Sequence, residues 1–509
     1  MAAFEILILS ALILATRCAN YHDVFVDRNI YFLDADCYAR MTRVRICAEH
    51  PGTVIRHHDF ENFPSGTTPH TTAPLDYLIL TLSILLKSFT AQPLDLAGAI
   101  VSPLLALIAG WFLWWWSRRM KIRYRWAMLI FFAISPILAH GTALGRPDHQ
   151  SLLMLLVTIG ICAEWSLQTE PSRSWSIVSA VVWAVASWVS LYEPLILLVL
   201  VIVVAFVQDR QLLFNPQRRI GWIVFGAIIL VALLIERRIP SLSIFQSNGI
   251  FRNWSRSVGE LAHVSPANPI WFAWSGYLIA VAPILIWWAF RKRSSLPVVI
   301  AVLLTVTFLL TTWQARWSYF FLSVFVISLP SLLAPFESRV AVWIALTLSS
   351  LPILRFWDAE IWPNDSQFAA RIERRNESRL LRELAVTIRS DQIRAFLAPW
   401  WLSPSISYWS GQPGVAGSSH QSLAGIADSA RVFLATDAQQ AREILRDRHV
   451  EWVFAYDWDR VRQNSVQLLG PAPSRGQIGQ ILDRTPGQAP VFLTLSGQNG
   501  AAKLFRFWR

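Results

Sequence analysis

Apolar runs broken by short charged stretches fill the chain from its start to about residue 356. They fall at about 4–16, 74–90, 96–117, 126–143, 149–167, 175–190, 192–208, 220–235, 269–290, 296–312, 318–335 and 340–356. Most approach the ~20 residues that a helix needs to cross a bilayer. Beyond about residue 357 the apolar runs shrink to strand length and polar residues dominate, which predicts a soluble domain of mixed α/β type. That domain opens with a charged helix. Residues 438–448 predict an amphipathic helix, VEWVFAYD after it a strand, and VFLTL with KLFRFW a terminal hairpin. The pattern divides the chain into a transmembrane domain, 1–356, with a large first outer loop at 18–73, and an extracytoplasmic α/β domain, 357–509.

Composition agrees with the pattern. With 54% hydrophobic residues and 26 Trp among 509, and a mean hydropathy of +0.41, the chain exceeds what a water-soluble core absorbs and reads as a polytopic membrane protein. The net charge of +12 raises nucleic acid as a partner. Lys and Arg instead cluster in short breaks between apolar runs, as the positive-inside rule requires, so no nucleic acid is expected. Arg118, Arg119, Lys121, Arg123 and Arg125 mark one cytoplasmic loop, and Arg218-Arg219 and Arg291-Lys292-Arg293 mark two more. Loops 18–73, 144–148, 236–268 and 313–317, and everything after about 357, then fall on the outer side. The first run has no basic n-region, contains Glu5 and lacks a clean cleavage site, so it reads as a retained span. Cys37 and Cys47 lie about 15 Å apart along a helix, too far to bridge, and neither a disulfide nor a zinc site is expected.

One run breaks the alternation. If 74–90 crossed, the loop holding Asp36 and the loop holding Asp148 would lie on opposite sides. Pro74, Asp76 and Lys87 in or beside this short run suit an interfacial or re-entrant helix better. About eleven spans remain, with the N-terminus inside and the C-terminus outside.

The candidate chemistry sits on the outer side. Asp34 and Asp36 stand one residue apart just past the first span, and such a pair at a membrane surface suggests a cation site. Asp36 would be a metal ligand neutralising a leaving phosphate, or would simply cap the helix that follows. Asp148, in Gly145-Arg146-Pro147-Asp148-His149-Gln150, has the same two readings, and with His149 or Gln150 it would complete an oxygen-rich shell for Mg²⁺ or Mn²⁺. Residues 57–70 (HHDFENFPSGTTPH) fit no zinc spacing and read as an ordered polar loop whose Asp59 and His70 are within reach of a substrate. Glu260 reads as a solvated loop acid. Arg316, among aromatics in TWQARWSYF, would either grip a phosphate or snorkel from a span end. No P-loop, Rossmann glycine fingerprint or HExxH pair is present. Nucleotide sugars and ATP are cytoplasmic, so an outward-facing transferase must use a group that a membrane lipid carries across, such as a polyisoprenyl phosphate or diphosphate sugar.

In order, an acid-x-Asp-x-Tyr run after the first span, a D-to-P-x-G loop, an outer G-x-x-D pair, SVxE and an R-aromatic-x-Y motif resemble the catalytic subunit of oligosaccharyltransferases, of the membrane glycosyltransferase C fold. APWWLSPSISYWSG resembles that family's WWD segment, and ASWVSLYEP falls at its Trp-Gly-Gly-Tyr-like turn, without the glycines. The resemblance implies that Asp36 binds metal and activates the acceptor with Asp34 as its partner acid, and that Asp148 is the second metal ligand. It further implies that Glu260 lies near the acceptor, Arg316 anchors the donor phosphate, and Trp400 and Trp401 contact the acceptor. Two positions depart from the family. Gln150 stands where an acid or His is usual, and Leu402 replaces the WWD carboxylate that reads the hydroxyl of Asn-x-Ser/Thr, a role Leu cannot fill.

Taken together, the residues and the resemblance predict an enzyme of the cell inner membrane or its equivalent. It would transfer a sugar or oligosaccharide from a polyisoprenyl-linked donor to an acceptor, protein ahead of glycan or lipid, by metal-assisted inverting displacement with Mn²⁺ or Mg²⁺. A transporter or flippase of lipid-linked glycans is the alternative from another class. It would call for inverted repeats and mid-membrane charge pairs, and only Glu164 and Glu193, near span ends, hint at the latter.

Overall fold

The computed structural model describes residues 2–238, 249–292, 296–471 and 476–508. Arg293 of the third basic cluster and residues 239–248 of the loop at 236–268 lie outside them. The chain forms two compact units, one from residues 1–30, 71–242 and 260–364 and one from 31–70, 243–259 and 365–509. The second therefore takes in most of the first outer loop as well as the C-terminal region, and the boundary expected at 357 falls inside a helix that runs to Ile361.

The first unit is a helical bundle in which, among the described residues, five helices are long and apolar enough to cross a membrane: Pro93–Arg119, His149–Thr169, Pro216–Glu236, Ala315–Leu333 and Arg339–Ile361. Six shorter apolar helices accompany them. Two expected spans are broken. In the run 126–143 the break is at Pro136, which has no N–H to offer the Phe132 carbonyl. Arg17 Nη2 donates to that carbonyl instead, at 2.8 Å, and Thr16 Oγ1 to the next one, Ala133, at 2.8 Å. In the run 269–290, Gly276 turns the chain at φ 75°, and a Cβ there would meet the Ser349 carbonyl at 2.3 Å.

The helix Ala73–Leu86 packs against Pro93–Arg119. Its first N–H donates to Glu236 Oε1 at 3.0 Å, and Thr72 Oγ1 donates to the Val189 carbonyl at 3.1 Å. Both partners lie at the C-terminal ends of helices, Val189 of Arg173–Val189 and Glu236 of Pro216–Glu236. Six residues after Leu86 the chain enters Pro93–Arg119, whose Ala99 carbonyl receives the Gly145 N–H at 2.8 Å. At ~1.5 Å per residue its 14 residues span about 21 Å.

The second unit is built on a four-stranded sheet in the order Ala395–Leu397, Val450–Ala455, Ala502–Phe507, Leu493–Asn499. The first pair is parallel and the others are antiparallel. The expected amphipathic helix forms at Ala438–Asp447, and the terminal hairpin turns at Gly500-Ala501, where Gly500 has φ 59°. The first outer loop contributes the helix Ala35–Glu49, which packs on the helix Ser403–Ser410. Tyr38 meets Trp409 at 5.1 Å between ring centroids and Phe32 meets Tyr408 at 5.7 Å.

Candidate active site

One end of the first unit gathers most of the predicted polar residues. The helix His149–Thr169 starts from Asp148, whose backbone is extended in the N-cap manner but whose side chain makes no capping hydrogen bond. The carboxylate turns sideways: Oδ1 lies 2.6 Å from His149 Nδ1, and Oδ2 lies 3.9 Å from Arg146 Nη2. Arg146 also reaches Glu260 Oε1 at 2.9 Å, and its Nη1 lies 3.2 Å from His140 Nε2. His140 Nδ1 in turn lies 3.0 Å from the Tyr319 hydroxyl, which is 3.5 Å from Glu260 Oε1. The loop is pinned by Gly145 N–H on the Ala99 carbonyl and by Ser102, whose hydroxyl donates to the Arg146 carbonyl. Arg146 and Asp148 are thereby held buried at the mouth of an apolar bundle.

A second cluster adjoins it. Arg316 forms an ion pair with Glu193, a residue with no solvent exposure at the start of the helix Tyr192–Gln208. Ser190 Oγ donates to Glu193 Oε2 at 3.2 Å and Gln150 Nε2 lies 3.5 Å from Oε1. The Arg316 guanidinium sits 5.6 Å from the centre of the Tyr192 ring. Gln150 thus faces Glu193, and a carboxamide beside a carboxylate is held there by its N–H donor. Arg146 and His140 carried no role from the sequence, Glu193 was named only as a span-end charge, and Tyr319 only as the last residue of the R-aromatic-x-Y motif. An acid at the first turn of an apolar run was the available signal for Glu193; His140 looks like an ordinary span residue until the fold brings it beside Tyr319 and Arg146.

In the second unit, the capping role weighed for Asp36 belongs to Asp34, whose Oδ1 accepts the Cys37 N–H at 2.9 Å from the N-cap of Ala35–Glu49. Asp36 lies in the first turn of that helix and is exposed. Trp400 and Trp401 line a small pocket together with Ile426, Ser429, Phe433 and Leu468. Trp254 meets Trp400 at 6.4 Å. Leu402 occupies the N-cap position of Ser403–Ser410, with no side-chain hydrogen bond there. His70 Nδ1 lies 3.2 Å from Gln421 Oε1 in the loop 57–70, and Asp59 is exposed.

Among the described residues no group of three or more His, Cys, Asp and Glu is close enough to hold a metal ion. The pair Asp148 and His149 is nevertheless a fitting partial donor set. With Nδ1–H bonded to a carboxylate, a neutral imidazole carries its lone pair on Nε2, the arrangement common to metal-binding histidines. Divalent magnesium takes few protein ligands and fills its shell with phosphate and water.

No family model and no curated protein matches this sequence. Solved structures do. An Archaeoglobus fulgidus oligosaccharyltransferase tethered to an acceptor peptide containing the NVT sequon superposes with a TM-score of 0.63 at 13% identity, over 89% of this chain and 68% of that one. The enzyme AglB of the same organism, in complex with an inhibitory peptide and a dolichol-phosphate, gives 0.57 at 14%, over 89% and 69%. ArnT of Cupriavidus metallidurans, bound to undecaprenyl phosphate, gives 0.56 at 11% identity, over 99% of this chain and 96% of that one. The chain has the glycosyltransferase C fold of the archaeal oligosaccharyltransferase and of ArnT.

Proposed function

We propose that this chain is a membrane glycosyltransferase that moves a sugar or oligosaccharide from a polyisoprenyl phosphate or diphosphate to an acceptor at the outer membrane face. One observation carries the reading: two guanidiniums, Arg146 and Arg316, are held by acids at one end of an otherwise apolar bundle. Charges so placed in a membrane protein are costly and mark a substrate site. The complexes of AglB with dolichol-phosphate and of ArnT with undecaprenyl phosphate support a polyprenyl carrier as that substrate.

In the proposed step, the acceptor's nucleophilic atom bonds to the anomeric carbon from the face opposite the phosphate. The carbon–oxygen bond to phosphate breaks and its electron pair leaves on the phosphate oxygen, so the configuration inverts. Arg316 binds the phosphate and neutralises the charge that grows on it. Arg146 fixes the carboxylates of Glu260 and Asp148. The acceptor's proton passes to a carboxylate, a role the resemblance assigns to Asp36 with Asp34 beside it. Asp148 and His149 would hold Mn²⁺ or Mg²⁺, which when bound supplies further positive charge to the departing phosphate; a related archaeal structure holds Zn and sulfate. The same reading places about eleven spans in the membrane, with Ala73–Leu86 in the outer interface and the C-terminal unit outside the cytoplasm.

A peptide acceptor fits the resemblance of Trp400-Trp401 to the WWD segment and the peptide-bound archaeal structure. A lipid or glycan acceptor is favoured by Leu402, which offers no acceptor for a sequon hydroxyl. Purified protein should release the polyprenyl phosphate from a labelled polyprenyl-phosphate sugar, and Asp148→Ala should slow release about a hundredfold. Peptide and lipid acceptors supplied separately identify the product. Absence of carrier release with either acceptor, with translocation of the lipid-linked sugar in vesicles, would establish a flippase instead.

A further inference from the structure

We infer that Glu193 is a positioning residue for the donor phosphate: it holds the Arg316 guanidinium in its binding pose. The inference rests on the phosphate-binding role proposed for Arg316.

A long cationic side chain at the rim of an apolar bundle is free to swing toward water and lipid headgroups. Arg316 does not swing out, because one guanidinium nitrogen is ion-paired with Glu193. Glu193 is itself without exposure, so its carboxylate cannot follow the guanidinium outward. Ser190 Oγ–H on Oε2 and Gln150 Nε2–H toward Oε1 supply the remaining donors that a buried carboxylate requires. Tyr192 closes the face of the guanidinium at 5.6 Å. The Arg316 side chain keeps one fifth of its surface open, whereas Glu193 keeps none. Anchoring on one side and exposure on the other leave the remaining N–H groups of the fork for an incoming anion.

Two variants test this with undecaprenyl phosphate as the binding probe and a labelled undecaprenyl-phosphate sugar as the donor. Glu193→Gln should weaken probe binding and raise the donor KM about tenfold, with kcat within about threefold of wild type, because the guanidinium remains but is no longer held. Glu193→Asp, which keeps a carboxylate for the guanidinium, should hold the donor KM within about threefold of wild type. Retention by the acid and loss by the amide is the outcome that a role in packing alone would not give. Unchanged or tighter probe binding by Glu193→Gln overturns the inference while leaving the proposed function standing. If Glu193→Gln does not fold, Glu193→Asp decides alone: a folded Glu193→Asp variant that fails to bind the probe overturns the inference. Wild type that binds no undecaprenyl phosphate removes the donor reading of Arg316, and the inference with it.

Discussion

At the scale of single residues, acids of similar appearance in the sequence have been given different work by their surroundings. Asp34 is spent on a helix start, Asp148 orients an imidazole, and Glu193 anchors a guanidinium. Glu61 shows the cost of burial without a full partner. It lies in the second unit, outside the apolar helices, against Gly417, where a Cβ would come within 2.5 Å of its carboxyl carbon. Burial raises its carboxyl from 4.5 to about 7, against the opposing influences of Arg43 and the Ser418 backbone. A carboxyl that binds its proton more tightly when folded favours the folded state at low pH, and that advantage is lost as pH rises from 4.5 through about 7. The full effect is about 3 kcal/mol. Thermal unfolding followed from pH 5 to 8 should therefore show a falling Tm for wild type and a nearly level one for Glu61→Gln. Parallel curves for the two proteins would contradict this account. The sequence singled out Asp148, His149 and Arg316 because each is a charged or titratable group beside an apolar run, and Glu260 only through the resemblance. Arg146 stood in the same motif without a role, since nothing in GRPDHQ says that its side chain turns toward a loop more than a hundred residues away.

At the scale of elements, hydropathy placed nearly every helix of the first unit, because a lipid-facing or bundle-facing helix must be apolar for its whole length. The breaks were harder to see. Pro136 is a general warning of a break, but Arg17 as the group that satisfies the freed Phe132 carbonyl comes from a different helix. Ala73–Leu86 is the element whose placement matters most, since the proposed sidedness depends on its not crossing. Single cysteines in a cysteine-free background at positions 71 and 90 should react with a membrane-impermeant maleimide from the same face of sealed vesicles. Labelling from opposite faces would show a crossing and would remove the outer-face assignment of the loop that carries Asp36.

At the scale of the whole molecule, the chain builds its second unit from three separated stretches. Residues 357–509 look like a domain by composition, yet the helix Ser403–Ser410 is buried along its length, with Tyr38 and Phe32 of the first outer loop against Trp409 and Tyr408. Arg45 closes the contact, its guanidinium 3.9 Å from the Tyr408 ring centre and its Nη1 donating to the Tyr408 carbonyl at 2.6 Å. A fragment of residues 357–509 should accordingly be protease-sensitive and bind a hydrophobic dye, and linking residues 31–70 to it should restore resistance. A resistant, monomeric 357–509 fragment would show that the loop is dispensable. By itself the sequence determined the apolar helices, the α/β character of the C-terminal region and the types of residue available for phosphate chemistry, because hydropathy period and charge are local properties. Only the tertiary structure decided which acid caps, which acid faces an amide and which guanidinium each carboxylate holds. Those pairings join residues up to 123 positions apart, as Arg316 and Glu193 are, and a buried charge takes its partner from whichever element the packing brings beside it.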